Sequence, residues 1–124
     1  GFPTETEEMF ANTLALVDEG GLSFLHVFPY SPRPGTPAAK MPPVPGKAIK
    51  DRARRLREAG AAALVRHLDR QVGRDLTVLV EKPGTARAAD FTEITLDAAC
   101  EPGGMVSGRI TGHDGSKAHL EVTP

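Results

Sequence analysis

Asp75-Leu76-Thr77-Val78-Leu79-Val80-Glu81-Lys82, followed by Pro83-Gly84, is where the hydrophobic period of this chain becomes two. Leu76, Val78 and Val80 alternate with Thr77, Leu79 and Glu81, the pattern of a strand with one face on a core, although Leu79 breaks strict polarity on the other face. Downstream, Thr85–Ala89, Thr92–Leu96, Met105–Thr111 and Ala118–Val122 read as further strands, separated by Pro83-Gly84, Pro102-Gly103-Gly104 and Asp114-Gly115. Five short strands with glycine turns predict a small antiparallel β-barrel over residues 73–124.

Upstream of this stretch the period is helical. Ile49, Ala53, Leu56, Gly60, Ala63, Leu64 and Leu68 form an apolar stripe that predicts a helix from Ala48 to about Gln71, with Gly60 weakening its middle by about 1 kcal/mol. Lys47, Lys50, Arg52, Arg54, Arg55 and Arg57 crowd its other face. Residues 31–46 hold six prolines and two glycines and form a stiff loop. Leu22–Tyr30 is an almost unbroken apolar and aromatic run, which predicts a strand buried on both faces of a parallel sheet. Before it, Thr4 and Glu7 have capping-box spacing, Met9, Phe10, Thr13, Leu14 and Val17 repeat at helical spacing, and Gly20-Gly21 supplies a stop, predicting a helix over 5–19. The class is α+β.

Charge divides the chain into the same blocks. Residues 1–43 carry net −3, residues 44–72 net +5 and residues 73–124 net −3, so the positive charge is concentrated in the basic helix that links the flanking blocks. That helix face either tracks phosphates or is solvated, and Lys82, Arg87, Arg109 and Lys117, with Phe91 as a stacking aromatic, offer the barrel a weaker nucleic-acid face. A single cysteine, Cys100, leaves no disulfide framework and no thiolate cluster. His26, His67, His113 and His119 have no ligand spacing, so no metal site is assigned. The serines lack a nucleophile elbow, and no catalytic residue is assigned. No apolar run approaches the ~20 residues that cross a bilayer and the N-terminus lacks a signal-peptide pattern, so the expectation is a cytoplasmic chain with no membrane partner.

Two strings carry more than these patterns do. Gly1-Phe2-Pro3-Thr4-Glu5-Thr6-Glu7-Glu8, then His26-Val27-Phe28-Pro29-Tyr30-Ser31-Pro32-Arg33-Pro34-Gly35-Thr36-Pro37-Ala38-Ala39, followed by an Arg-rich helix and a β unit, resemble the C-terminal third of radical-SAM methylthiotransferases, whose pattern reads GFPGET and then YSPRPGTPAA. The His-Val-Phe lead resembles the branch that modifies threonylcarbamoyladenosine beside the tRNA anticodon. The resemblance implies that residues 1–43 close a radical-SAM (β/α) partial barrel, that 44–72 is a linking helix and that 73–124 is a TRAM domain, a small OB-like barrel. It implies an enzyme that uses two 4Fe-4S clusters and S-adenosylmethionine to add a methylthio group to a modified adenosine. This chain, one cysteine where such clusters need many, is expected to bind no cofactor and to be inert without the missing N-terminal and radical-SAM domains.

Position by position, the resemblance puts Gly1, Phe2 and Pro3 near S-adenosylmethionine and Tyr30, Ser31, Arg33, Gly35 and Thr36 on the substrate side of the barrel mouth. The tRNA anticodon stem-loop is the expected partner, met by Lys50, Arg54, Arg57, Lys82, Arg87, Phe91, Arg109 and Lys117. Thr4 stands where the family pattern has glycine. Three other readings compete: a non-catalytic RNA-binding module, a protein-binding scaffold, and part of a methylthiotransferase acting on a ribosomal protein. The last usually carries an acidic residue where Arg33 stands. An unpaired strand edge near Leu22–Tyr30 also offers a route to self-association.

Overall fold

A computed structural model describes residues 1–124 as two compact units, Gly1–Ala63 and Leu64–Pro124. In the first lie helix α1 (Glu7–Glu19), a 3-10 turn (Ala38–Lys40) and the larger part of helix α2 (Gly46–Gln71). The last residues of α2 belong to the second unit, with strands β1 (Asp75–Lys82), β2 (Thr85–Arg87), β3 (Glu93–Leu96), β4 (Met105–His113) and β5 (Ala118–Val122).

The first unit turns on its start. Glu5 N–H donates to the Phe2 carbonyl at 3.0 Å, closing a turn with Pro3 at its second position and Thr4, at φ 70°, at its third. Proline followed by a positive φ is the type II pattern, which favours glycine at the third position. The glycine of the family pattern therefore answers a backbone requirement, and Thr4 meets it under strain. The same conformation removes Thr4 from helix capping. The cap is Thr6, whose hydroxyl accepts from Met9 N–H at 3.2 Å, and the predicted Thr4–Glu7 capping box is corrected to this.

Helix α2 lies against α1 through its arginines. Arg52, 8% exposed, donates from one guanidinium nitrogen to the Glu5 carbonyl and carboxylate, both at 2.9 Å. Arg55 bonds Glu7 at 2.6 Å and sits 4.8 Å above the centre of the Phe10 ring. Gly60, weak for a helix, is explained by packing: a Cβ there would stand 3.2 Å from Leu25 Cβ, so the missing side chain admits the Leu22–Tyr30 segment.

That segment is not a strand. It makes no sheet pairing, and Ser23, Leu25 and Val27 are half-buried while Leu22, Phe24 and Phe28 are exposed. The reason is physical: a strand buried on both faces needs neighbours on both edges, and every strand of this chain is already committed to the second unit's barrel.

In that barrel the strands close in the order β1-β2-β3-β5-β4, and all neighbours are antiparallel except β3 and β5. The expected all-antiparallel barrel is thus corrected at one seam: β3 and β5 are joined through the long β4 and its turn, which returns β5 in β3's direction. This is a small OB-like barrel, as the TRAM resemblance implies. Val78, Val80, Ile94, Ile110 and Leu120 fill it, and Leu68 from the end of α2 is fully buried in the same cluster. Gly108 of β4 makes closure possible, because a Cβ there would overlap the Glu121 carbonyl oxygen and Leu120 Cδ2. The β4–β5 turn is held by the Asp114 carboxylate, which accepts from Ser116 and Lys117 N–H and has its pKa lowered to about 2 by these backbone bonds.

Two substitutions test this reading. Gly108→Ala is expected to cost about 3 kcal/mol or more and to collapse the dispersed amide spectrum of the barrel. Thr4→Gly is expected to stabilise the first unit by up to about 1 kcal/mol as the strain is relieved, read from a denaturation curve followed by the fluorescence of Tyr30.

Candidate nucleic-acid interface

Regular strands point neighbouring side chains to opposite faces, so Glu81 and Lys82 should diverge. They do not, because β1 carries a bulge against β2 between Val80 and Lys82. Val80 pairs with Ala86 and Lys82 with Thr85, and the extra residue turns both Glu81 and Lys82 toward one cleft. Arg87 of β2, Glu93 of β3 and Lys117 complete its polar lining, around about 220 Å³. Three cations and two carboxylates therefore face one concavity on a unit whose overall charge is negative.

Each charge has a defined state. Arg87 grips Glu81 with two bonds, Nε to Oε1 at 2.7 Å and an outer nitrogen to Oε2 at 3.2 Å, which holds the Glu81 carboxyl below its usual range and raises Arg87. The other outer nitrogen of Arg87 donates to the Phe91 carbonyl at 3.2 Å. Lys117 lies 3.8 Å from Glu93. Lys82 is exposed and makes no hydrogen bond or ion pair, and its charge helps to lower the Glu81 carboxyl. One exposed ammonium beside Glu81, one ammonium loosely held by Glu93 and a fixed guanidinium plane suit a single anionic group better than an extended anionic track.

A larger cleft, about 300 Å³, lies on the same barrel beside Asp97, Thr111, His119 and Glu121. Its two carboxylates with one histidine repel phosphate, so size does not decide the choice. In the first unit a smaller cavity of about 70 Å³ is lined by Phe10, Val27, Phe28, Ile49 and Arg52.

The other predicted residues are dispersed. Arg109 is clasped by Asp75 through bonds of 2.8 and 2.9 Å and is not part of the 220 Å³ cleft. In the first unit, Arg54 is paired with Asp51 at 2.7 Å and Glu58 at 2.8 Å, Arg57 approaches the Val27 carbonyl at 3.5 Å, and Lys50 is exposed and unpaired. Much of the basic helix face is thus spent on pairing within the unit. Phe91 is 72% exposed at the β2–β3 turn.

The Pro-rich loop is ordered by its own side chains. Thr36 N–H and hydroxyl both donate to the Arg33 carbonyl, at 3.3 and 2.8 Å, and the same hydroxyl accepts from Ala39 N–H at 3.3 Å. Pro34 and Gly35, at φ 84°, form a second proline-led turn of the same type, here with the glycine it favours. Arg33 remains exposed and bonds Ser31 at 3.2 Å. Phe2 meets Tyr30 edge-to-face with ring centres 5.6 Å apart, so the residue expected near S-adenosylmethionine touches one expected near substrate. Pro3 is fully buried, Phe2 is exposed, and the Gly1 amine is paired with the Glu5 carboxylate at 3.0 Å. No group of three or more His, Cys, Asp or Glu is arranged to hold a metal ion, and Cys100 alone does not fit an iron–sulfur cluster.

Sequence reasoning missed Glu81 and Glu93 as cleft residues, and it missed the buried group beneath the β2–β3 turn. There His67 meets the Thr92 hydroxyl at 2.7 Å, and that hydroxyl donates to Asp90 at 2.7 Å. The Thr92 position between an acidic turn and a helix-borne histidine left no short-range pattern to find.

No protein-family model matches the chain. Among curated proteins, the threonylcarbamoyladenosine tRNA methylthiotransferase MtaB of Rickettsia prowazekii is 43% identical over 112 residues, covering 90% of this chain and 27% of that protein. The tRNA-2-methylthio-N(6)-dimethylallyladenosine synthase of Ruegeria pomeroyi is 44% identical over 88 residues, 68% of this chain and 19% of that protein. Its counterpart in Bifidobacterium adolescentis is 45% identical over 80 residues, 64% of this chain and 17% of that protein. By these identities the chain belongs to the tRNA methylthiotransferase family, whose curated members it matches over less than a third of their length. No helix is long and apolar enough to cross a membrane.

The Glu81–Arg87 clasp gives a direct test of the cleft. Glu81→Gln releases Arg87, so affinity for an RNA stem-loop is expected to rise and the slope of log affinity against log salt to steepen by about one, measured by titration at four salt concentrations.

Proposed function

We propose that this chain is the C-terminal, substrate-handling portion of a tRNA methylthiotransferase that modifies an adenosine beside the anticodon in the cytoplasm. The observation that carries the reading is the 43% identity over 112 residues to the MtaB relative, joined to a cationic cleft on an OB-like barrel. In the full-length enzyme, S-adenosylmethionine and two 4Fe-4S clusters would supply the radical chemistry that replaces an adenine C–H by a methylthio group. The clusters belong to parts of such an enzyme other than this chain, which alone is inactive.

Within that enzyme the residues described here bind and orient. Lys82 and Lys117 take a phosphate of the anticodon stem-loop beside Arg87, which Glu81 holds in place, and Lys50 is a separate cationic point on the first unit. Arg54, Arg57 and Arg109 contribute less, because each is already engaged by a carboxylate or carbonyl. Tyr30, Ser31, Arg33, Gly35 and Thr36 form a stiff lip whose conformation is set before substrate arrives, so little entropy is lost when Arg33 meets an anionic group. Phe2, exposed beside Tyr30, faces the cofactor side of that lip.

A salt-series titration of the chain with a tRNA anticodon stem-loop tests the proposal. Salt-sensitive binding is expected, with Lys82→Ala and Lys117→Ala each weakening it at low salt and each reducing the slope by about one. Affinity that does not respond to salt, or that both substitutions leave unchanged, contradicts it.

A further inference from the structure

Phe91 combines three properties that packing alone does not produce. Its backbone lies at φ 69°, a region that bulky L-residues avoid, its side chain is 72% exposed, and the turn that holds it is anchored from beneath by buried groups. Phe91 N–H donates to the Ala88 carbonyl and Ala88 N–H to the Thr92 carbonyl, both at 3.0 Å, which makes a three-residue hairpin loop with Phe91 in the position that normally takes glycine. Thr92, 1% exposed, is fixed by Asp90 and by His67, and Gln71 stands next to that histidine at 3.5 Å. The strain is thus sustained by a network that would serve a glycine better.

An exposed ring held in a costly conformation is a surface kept for a partner. Arg87 ties the backbone of that turn to the cationic cleft, because the guanidinium that lines the cleft also donates to the Phe91 carbonyl. We propose that Phe91 and the adjacent cleft form a mononucleotide subsite: an unpaired base stacks on the Phe91 ring while a neighbouring phosphate enters between Lys82 and Lys117. The inference rests on the RNA-binding reading above and sharpens it to one residue and one class of nucleotide. The partner is an unpaired nucleotide rather than a duplex for two reasons. A base within a helix has both faces covered by its neighbours and offers none to a ring. Glu81 and Glu93 flank the cations, so the cleft accepts one phosphate and repels the continuous track a duplex would lay across it.

The test uses the whole chain and an anticodon-type RNA stem-loop carrying the fluorescent base 2-aminopurine at one unpaired loop position at a time, with the stem alone as a duplex competitor. At one loop position, binding is expected to quench the fluorescence, and the duplex is expected to compete poorly. Phe91→Gly is expected to raise the thermal stability of the barrel, because the strain is removed, while lowering affinity roughly tenfold, abolishing the quench and leaving the salt slope unchanged. Phe91→Tyr is expected to keep both affinity and quench, which guards against a folding artefact. If Phe91→Gly binds and quenches as the parent chain does, or if the duplex competes equally, the subsite is wrong while the RNA-binding reading stands. If the parent chain shows no salt-sensitive RNA binding at all, both are overturned.

Discussion

The close approach of β4 and β5 at Gly108 is the constraint on which the barrel rests. Gly108 pairs with Leu76 on one side and Val122 on the other, so a single position without a side chain lets three strands meet across the closing seams. Closure brings β5 alongside β3 in parallel register, and Lys117, just ahead of β5, thereby reaches Glu93. Closure also fixes β1 between β2 and β4, which makes its bulge a permanent feature that aims Glu81 and Lys82 to the same side. The cleft is thus a product of topology, assembled from β1, β2, β3 and the β4–β5 turn.

Charge in this molecule acts locally. The helix that carries most of the positive charge uses Arg52 and Arg55 to hold α1, through carboxylates and the face of Phe10, and balances Arg54 between Asp51 and Glu58. The barrel, net acidic, nevertheless gathers Lys82, Arg87 and Lys117 in one concavity. Exposed pairs such as Glu81–Arg87 add little stability. Their effect is to hold a guanidinium in a fixed orientation.

Much of the fold was legible from the sequence because each element there obeyed a local rule. The five strands lie within a few residues of where alternation and glycine turns put them, and α2 follows its apolar stripe. Leu22–Tyr30 misled because hydrophobicity reports the wish to be buried and not the presence of partners. Thr4 misled because the spacing of a capping box is silent about a preceding proline turn. Gly60, read as a flaw in a helix, is the space into which Leu25 fits. Of the candidate cleft, Lys82, Arg87 and Lys117 were named from the sequence, and Arg109 lies outside it, facing Asp75 across β1 and β4. A bulge and a strained φ leave no trace in hydrophobic periodicity, which is why Glu81, Glu93 and the His67–Thr92–Asp90 support emerged only in three dimensions.

Amide chemical-shift mapping of the isotopically labelled chain, titrated with a tRNA anticodon stem-loop at low salt, tests the central claim most directly. The largest shifts are expected on residues 81–95 and on Lys117, around the bulge, the Phe91 turn and the start of β5. Shifts centred on residues 96–97 and 119–121 at the acidic cleft, or confined to the arginines of α2 with the barrel unmoved, would contradict it.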